Sequence, residues 1–431
     1  MTVTSIISAI GNNSSIYPLL VRDCGIEVPT KVYLTYKENQ NDKEIQKLAT
    51  RERFLDEYIG SGIWLGAIPL LGSIINMIIK KFGFNPNINL KLLKEEDAQG
   101  LEYNIKKFEK IAPDAVKDLV KLRDAKAKKT YQMLLGAKFL ASTIIPIAMI
   151  GFILPKLIFA SSAKKIEELR KAKQNNQNKT TQTESKLNQT AQKTSKTSFT
   201  GNIMSTLANF STKEKMEVID GGYAFGRIVT ARKGPDGNRN EAKDIAFKMA
   251  GMMYLNYVAP EQIEKGMNIF TQKAFKLNTN LDPLILADKD FIEEIKNGKL
   301  LLPKSDNAKD LLDFVDNNPK SLFVKYANKF EKIKMLNENI RDPRAYVDIK
   351  KLAQFKNDIE EFVKSAQSSK SIEKFAKRAK GIKTFNILAN VGLSSFLLAY
   401  CLPKAQFAFR RLVTGSELEP GIVNANMKNK N

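Results

Sequence analysis

Tyr131–Ala160 reads YQMLLGAKFLASTIIPIAMIGFILPKLIFA, and this stretch decides the fold. Roughly 20 apolar residues suffice to cross a bilayer as an α-helix, and this run exceeds that. Lys138 is its one early charge, and a lysine there snorkels toward a headgroup region. Lys128 and Lys129 precede the run, and Lys156, Lys164 and Lys165 close it. Pro146 lies mid-run and Pro155 near its end.

Two more apolar segments follow the same logic. Tyr58–Ile79, YIGSGIWLGAIPLLGSIINMII, carries no charge and is followed at once by Lys80 and Lys81. Gly62 and Gly66 form a GxxxG spacing that permits close helix contact. Pro69 is expected to kink this segment or divide it into a helical hairpin. Phe385–Val413 has its clean stretch at Phe385–Leu402, the short end for spanning. Lys377, Arg378, Lys380 and Lys383 flank it on one side, Lys404, Arg410 and Arg411 on the other. Basic residues at both ends leave orientation open, and a re-entrant or interfacial helix is the alternative for this third segment.

The expected fold class is therefore mainly α, an integral membrane helical protein with about three apolar segments. Its expected location is multi-pass in the cytoplasmic, inner membrane of a bacterium. The N-terminal MTVTSIISAIGNNSSIYPLL lacks a basic n-region, so no cleaved signal peptide is expected.

The end of the first run recurs. LPKLIFA (Leu154–Ala160) matches LPKAQFA (Leu402–Ala408). Three further echoes come in the same order: Val21-x-Asp23-x-Gly25 with Val218-x-Asp220-x-Gly222, Asn85–Asp97 with Asn278–Asp290, and KTYQML (Lys129–Leu134) with KTFNIL (Lys383–Leu388). The order points to a degenerate internal duplication. Pro155 and Pro403 are each expected to end or kink a helix near the membrane surface, with Lys156 and Lys404 reaching headgroups.

Between the halves, Ser161–Thr200 is rich in Lys, Asn, Gln, Thr and Ser and reads as a flexible basic linker. The domain reading is an N-terminal helical or irregular segment (1–57), apolar segment 1 (58–81) and a helical lobe (82–130). Apolar segment 2 (131–160), linker (161–215), larger helical lobe (216–384), apolar segment 3 (385–413) and a disordered tail (414–431) complete it. In the larger lobe, Asp342-Pro343 reads as an N-cap with proline at N1. The Leu352, Phe355, Ile359, Phe362 stripe then marks a packed helix face. VYLTY and RIVTA are possible strands, but little strand is expected. KGPDGNRN (Lys233–Asn240) reads as a turn.

Composition bounds the chemistry. The chain has 431 residues, 69 Lys+Arg against 46 Asp+Glu, a net charge of +23 and no histidine. The basic balance suggests anionic partners, with anionic lipids first, self-association through the apolar segments second and nucleic acid disfavoured for want of interleaved aromatics. Absence of histidine removes the usual general base, the triad histidine and the commonest transition-metal ligand. Cys24 and Cys401 make neither a CxxC pair nor a disulfide framework. Cys401, inside an apolar run, is expected to be buried and inert. DGGYAFGR (Asp220–Arg227) lacks both phosphate-loop patterns, and its glycines suit helix contact or a turn. No catalytic residue, metal site or cofactor is expected.

The residues expected to anchor the chain at a membrane are Lys80, Lys81, Lys128, Lys129, Pro155, Lys156, Lys383, Pro403, Lys404, Arg410 and Arg411. Gly62 and Gly66 are the expected helix-contact pair. A non-enzymatic membrane scaffold or interaction protein is the leading functional expectation. An oligomeric transport or channel component comes second, with no central acid legible in any span. A carboxylate- or lysine-based enzyme at the membrane comes third.

Overall fold

The structure is a computed structural model. It describes residues 2–12, 16–40, 43–95, 97–158, 160–161, 164–165, 168, 210, 212–232, 239–275, 277 and 279–414. The central part of the linker, most of the KGPDGNRN turn and the tail lie outside the described residues.

Three helical stretches are long and apolar enough to cross a membrane: Gln46–Lys81, Ala125–Ile158 and Ile372–Val413. The first belongs to α4 (Lys43–Lys81), which runs unbroken through Pro69. The expected hairpin at Pro69 is therefore not formed. Only 22% of the most apolar window of α4 is buried inside the protein. The rest, including Leu70, Ile74 and Met77, faces outward.

The segments before α4 are α1 (Val3–Gly11), α2 (Tyr17–Leu20), a π turn (Val21–Glu27) and α3 (Val28–Glu38). VYLTY lies in α3 and is helical, not a strand. After α4 come α5 (Leu101–Phe108) and α6 (Pro113–Val120), then α7 (Ala125–Ala148), capped by Asp124 and followed by a π turn (Met149–Ile153). The later chain supplies α8 (Thr212–Arg232), which includes RIVTA, and α9 (Arg239–Met253). A π turn (Tyr254–Val258) leads into α10 (Ala259–Phe275). The last long helix is α11 (Ile372–Phe396), capped by Ser371, with a π turn (Leu397–Cys401) leading into α12 (Leu402–Thr414).

Every one of these four π turns stands just before a proline: Pro29, Pro155, Pro260 and Pro403. In each, the residue preceding the proline donates its N–H to the carbonyl five residues back, as Leu154 does to Met149 and Leu402 to Leu397. A proline in a regular helix has no N–H to give and its ring strikes the carbonyl four residues back. Widening the turn by one residue moves that carbonyl away and lets the helix continue. Pro155 and Pro403 thus do not end their helices, one of the two outcomes the sequence reading offered; they interrupt the α ladder and the helix resumes.

Two lobes sit at the end of the bundle where α4 finishes and α7 and α11 begin. The smaller has a core of Ile88, Leu90, Leu92, Ile105, Phe108, Leu119 and Tyr131. The larger is built from 277–379 around Phe291, Leu311, Phe323, Leu352 and Phe362. Its stripe Leu352, Phe355, Ile359, Phe362 is buried as expected, but the helix Ile349–Gln367 is capped by Asp348 rather than Asp342. Asp342 instead accepts from Arg344 in the loop, at 2.9 Å. The sheet content among the described residues is one two-stranded antiparallel ladder, Met335–Asn337 with Ile340–Arg341.

The lobes are pinned to each other. Arg341, fully buried, donates to Asp316 at 3.0 and 3.2 Å and lies over the Phe108 ring. Lys107 reaches the same Asp316 at 2.7 Å. Gln99 and Val347 exchange two hydrogen bonds, and Arg344 pairs with Asp118 at 3.0 Å.

The KTYQML and KTFNIL strings occupy different levels. Lys129 stands five residues past its cap Asp124, while Lys383 stands twelve past Ser371.

Candidate functional site

Helices α3, α4, α8 and α9 bring together a network of charges that no single stretch of sequence announces. Glu57 on α4 takes Arg53 at 3.0 Å, Lys248 at 3.1 Å and Lys31 at 3.5 Å. Lys31 also pairs with Glu27 one turn earlier. Arg227 on α8 grips Asp56 with both arms. A neighbouring pair, Arg410 with Asp244 at 3.0 Å, ties α12 to α9, and Gln406 donates to the same carboxylate at 3.3 Å. Buried ions need such partners, since desolvating each one costs several kcal/mol.

Beside this network lies a cavity of about 50 Å³, lined by Asp23, Glu27, Trp64, Asp220, Tyr223 and Asn256 among others. That volume admits a few water molecules. Asp23 comes from the π turn Val21–Glu27 and Asn256 from the π turn Tyr254–Val258. Asp220 accepts from the Tyr257 hydroxyl at 2.6 Å. Asp23 Oδ1 and Asn256 Oδ1 are buried with no hydrogen-bond partner among the described residues. Neither Asp23 nor Asp220 forms a salt bridge among the described residues. Arg22 turns away to backbone carbonyls, donating to Pro18 at 3.3 Å and Asn256 at 3.4 Å. The Asn256 carbonyl is the one four residues before Pro260, which proline cannot serve.

Close packing holds this site. A Cβ added to Gly222 would lie 2.4 Å from Ile147, and one added to Gly226 would lie 2.8 Å from Phe152. Gly222 and Gly226 of DGGYAFGR are therefore helix contacts, one of the two roles the sequence suggested. Trp64, Ile68, Ile150, Met216, Ile219 and Tyr257 form an apolar cluster beside the cavity.

No family model, curated protein or solved structure matches this chain.

The expected anchoring residues divide. Lys80, Lys81, Lys129, Lys156 and Arg411 are exposed, and Lys128 donates to the Leu93 carbonyl at 3.4 Å. Lys404 is exposed in part and pairs with Glu38. Lys383 is buried against Glu264 at 3.0 Å, and Arg410 against Asp244. These two point inward and cannot grip headgroups. Pro155 and Pro403 are buried within the bundle. Gly62 and Gly66 are exposed, with nothing near enough to touch an added Cβ, so neither serves a helix contact among the described residues. Cys401 is partly exposed rather than fully buried.

The sequence reading missed the site because its members are dispersed. Asp23 in LLVRDCGIEV and Asp220 in EVIDGGYAF stand about 200 residues apart, and nothing local in either stretch marks a shared cavity. The one available signal was the Val-x-Asp-x-Gly echo, which contains both Asp23 and Asp220.

Proposed function

We propose that the chain is a membrane-embedded transport component that passes protons or a small monovalent cation. The observation that carries this reading is the pair Asp23 and Asp220, two carboxylates lining one small cavity, neither in a salt bridge among the described residues. Ionisable groups at such depth are expensive and mark ion pathways or proton relays. Two acids facing one small wet cavity favour uptake of a proton or cation that offsets their mutual repulsion. The surrounding ion network, in which every charge meets at least one of opposite sign, supplies rigidity rather than a binding charge.

An internal duplication is part of the proposal. Two sets of elements follow the same order: a first helix (17–38 and 212–232), a long one (43–81 and 239–275), a lobe, then a proline-interrupted one (125–158 and 372–413). Buried residues of the last pair recur at a constant offset of 248, as in Tyr131 and Ala379, Leu135 and Lys383, Phe139 and Ile387, Ile150 and Leu398, Leu154 and Leu402. The KTYQML echo is six residues out of that register. Paired repeats with a site near mid-depth at their junction suit transporters, and broken helices there are common. The inner membrane of a bacterium is the proposed location, since apolar helical spans differ from the barrels of outer membranes.

The test is reconstitution of the purified chain in liposomes with an internal pH indicator. Wild type is expected to collapse an imposed proton gradient, and D23N/D220N to lose that flux. Equal flux from both would sink the reading. No flux from wild type would favour the second reading, a non-catalytic scaffold whose exposed Lys80, Lys81, Lys129, Lys156 and Arg411 bind anionic lipids at about 1 kcal/mol per charge.

A further inference from the structure

Where the bundle meets the smaller lobe, a cavity of about 230 Å³ opens between α7, the approach to α8 and the 86–90 segment. Lys138 and Lys215 stand on its wall. Each is only partly exposed. The stem of Lys138 runs along α4 at Gly72, in ordinary contact range at 3.7 Å from where a Cβ would stand. Neither ammonium has a hydrogen-bond or salt-bridge partner among the described residues. Lys31, Lys213, Lys248 and Lys383 of the same bundle are all paired.

The charges facing this cavity do not offset the two lysines. The one charge acting on Lys138 at close range is Lys215 itself. Glu214, the chain neighbour of Lys215, is exposed and acts on Lys215 from outside the cavity, forming no salt bridge with it and lying outside the cavity wall. Two like charges on one pocket, neither hydrogen-bonded nor in a salt bridge among the described residues, leave an anion as the species that satisfies both.

The other walls narrow the anion. Leu135, Phe139 and Phe210 make an apolar side, the two rings meeting edge to face at 5.6 Å. The outward apolar residues of α7 begin nearby at Met133, and Lys80 and Lys81 end α4 on the same side. The pocket therefore lies at the boundary between the apolar belt and the lobe, where lipid phosphates reside. We infer that Lys138 and Lys215 bind the phosphate of an anionic phospholipid, whose glycerol and acyl portion lies along the aromatic wall. This rests on the membrane reading but not on ion transport.

Native mass spectrometry of the detergent-purified full chain, incubated with phosphatidylglycerol or phosphatidylcholine, tests it. Wild type and K80Q/K81Q are expected to retain phosphatidylglycerol and not phosphatidylcholine. K138Q/K215Q is expected to retain it about thirtyfold less, since each lysine near a phosphate surface is worth about fivefold. The single variant K138Q serves if the double variant does not fold, and K138R/K215R is expected to keep binding. Equal retention by wild type and K138Q/K215Q overturns the site. Displacement of the lipid by millimolar inorganic phosphate overturns the lipid assignment and leaves a free-phosphate pocket. Release of the chain from membranes by alkaline wash defeats the membrane reading separately.

Discussion

Arg227 and Asp56 join α8 to α4 through two parallel hydrogen bonds. Replacing Arg227 by Gln leaves a carboxylate without its partner, which for a buried pair costs about 3–5 kcal/mol. D56N/R227Q removes both charges and is expected to recover much of that loss, measured by unfolding in detergent. Asp288 poses a different case, out in the larger lobe. Burial alone would raise its carboxyl, but hydrogen bonds from Tyr326 and Lys325 win and hold it below the usual carboxylate range. The folded state therefore favours the ionised form, and its stabilising share is present above the unfolded carboxylate value, about 3.9. That share is lost as pH falls through the lower folded value. D288N should melt earlier than wild type at pH 6, and the gap should shrink toward pH 3. At this scale little was legible beforehand: Lys383 and Arg410 read as headgroup anchors because only the fold reveals Glu264 and Asp244 beside them.

The long helices were legible because continuous apolar composition and helical length are properties of one segment alone. What proline does inside them was not, since Pro69 sits in an unbroken helix while Pro29, Pro155, Pro260 and Pro403 follow widened turns. Helix-to-helix fit was legible in part, through the glycines of DGGYAFGR. Gly222→Leu should destabilise the bundle by about 1–3 kcal/mol through overpacking, because Ile147 already occupies the space. Adding Ile147→Ala to that variant should restore part of the loss, and thermal unfolding of the three proteins reads it out. If Ile147→Ala gives no relief, the two helices do not meet as described. The Asp342-Pro343 start was misread for a local reason: the backbone N–H and guanidinium of Arg344, two residues on, both donate to the aspartate, and the cap falls to Asp348.

Across the whole molecule, two lobes are clamped together by buried Arg341, reaching from the β ladder to Asp316 and Phe108. Arg341→Ala should cost about 3–5 kcal/mol as a broken buried ion pair. Hydrogen exchange should quicken at 99–108 and 313–316 while the long helices keep their protection. Loss of protection throughout the chain would instead make the lobe contact a prerequisite of the bundle. The arrangement of the bundle also depends on counting. A widened turn holds one residue more than a regular helix would, and one residue is about 100° of helical rotation. Deleting Gly151 alone should therefore let a regular helix run toward Pro155 while swinging Leu154 and Ile158 away from Gly60 and the Asp56–Arg227 neighbourhood. Each of the four widened turns is in this sense a phase setting, and the alignment of everything downstream hangs on a single residue.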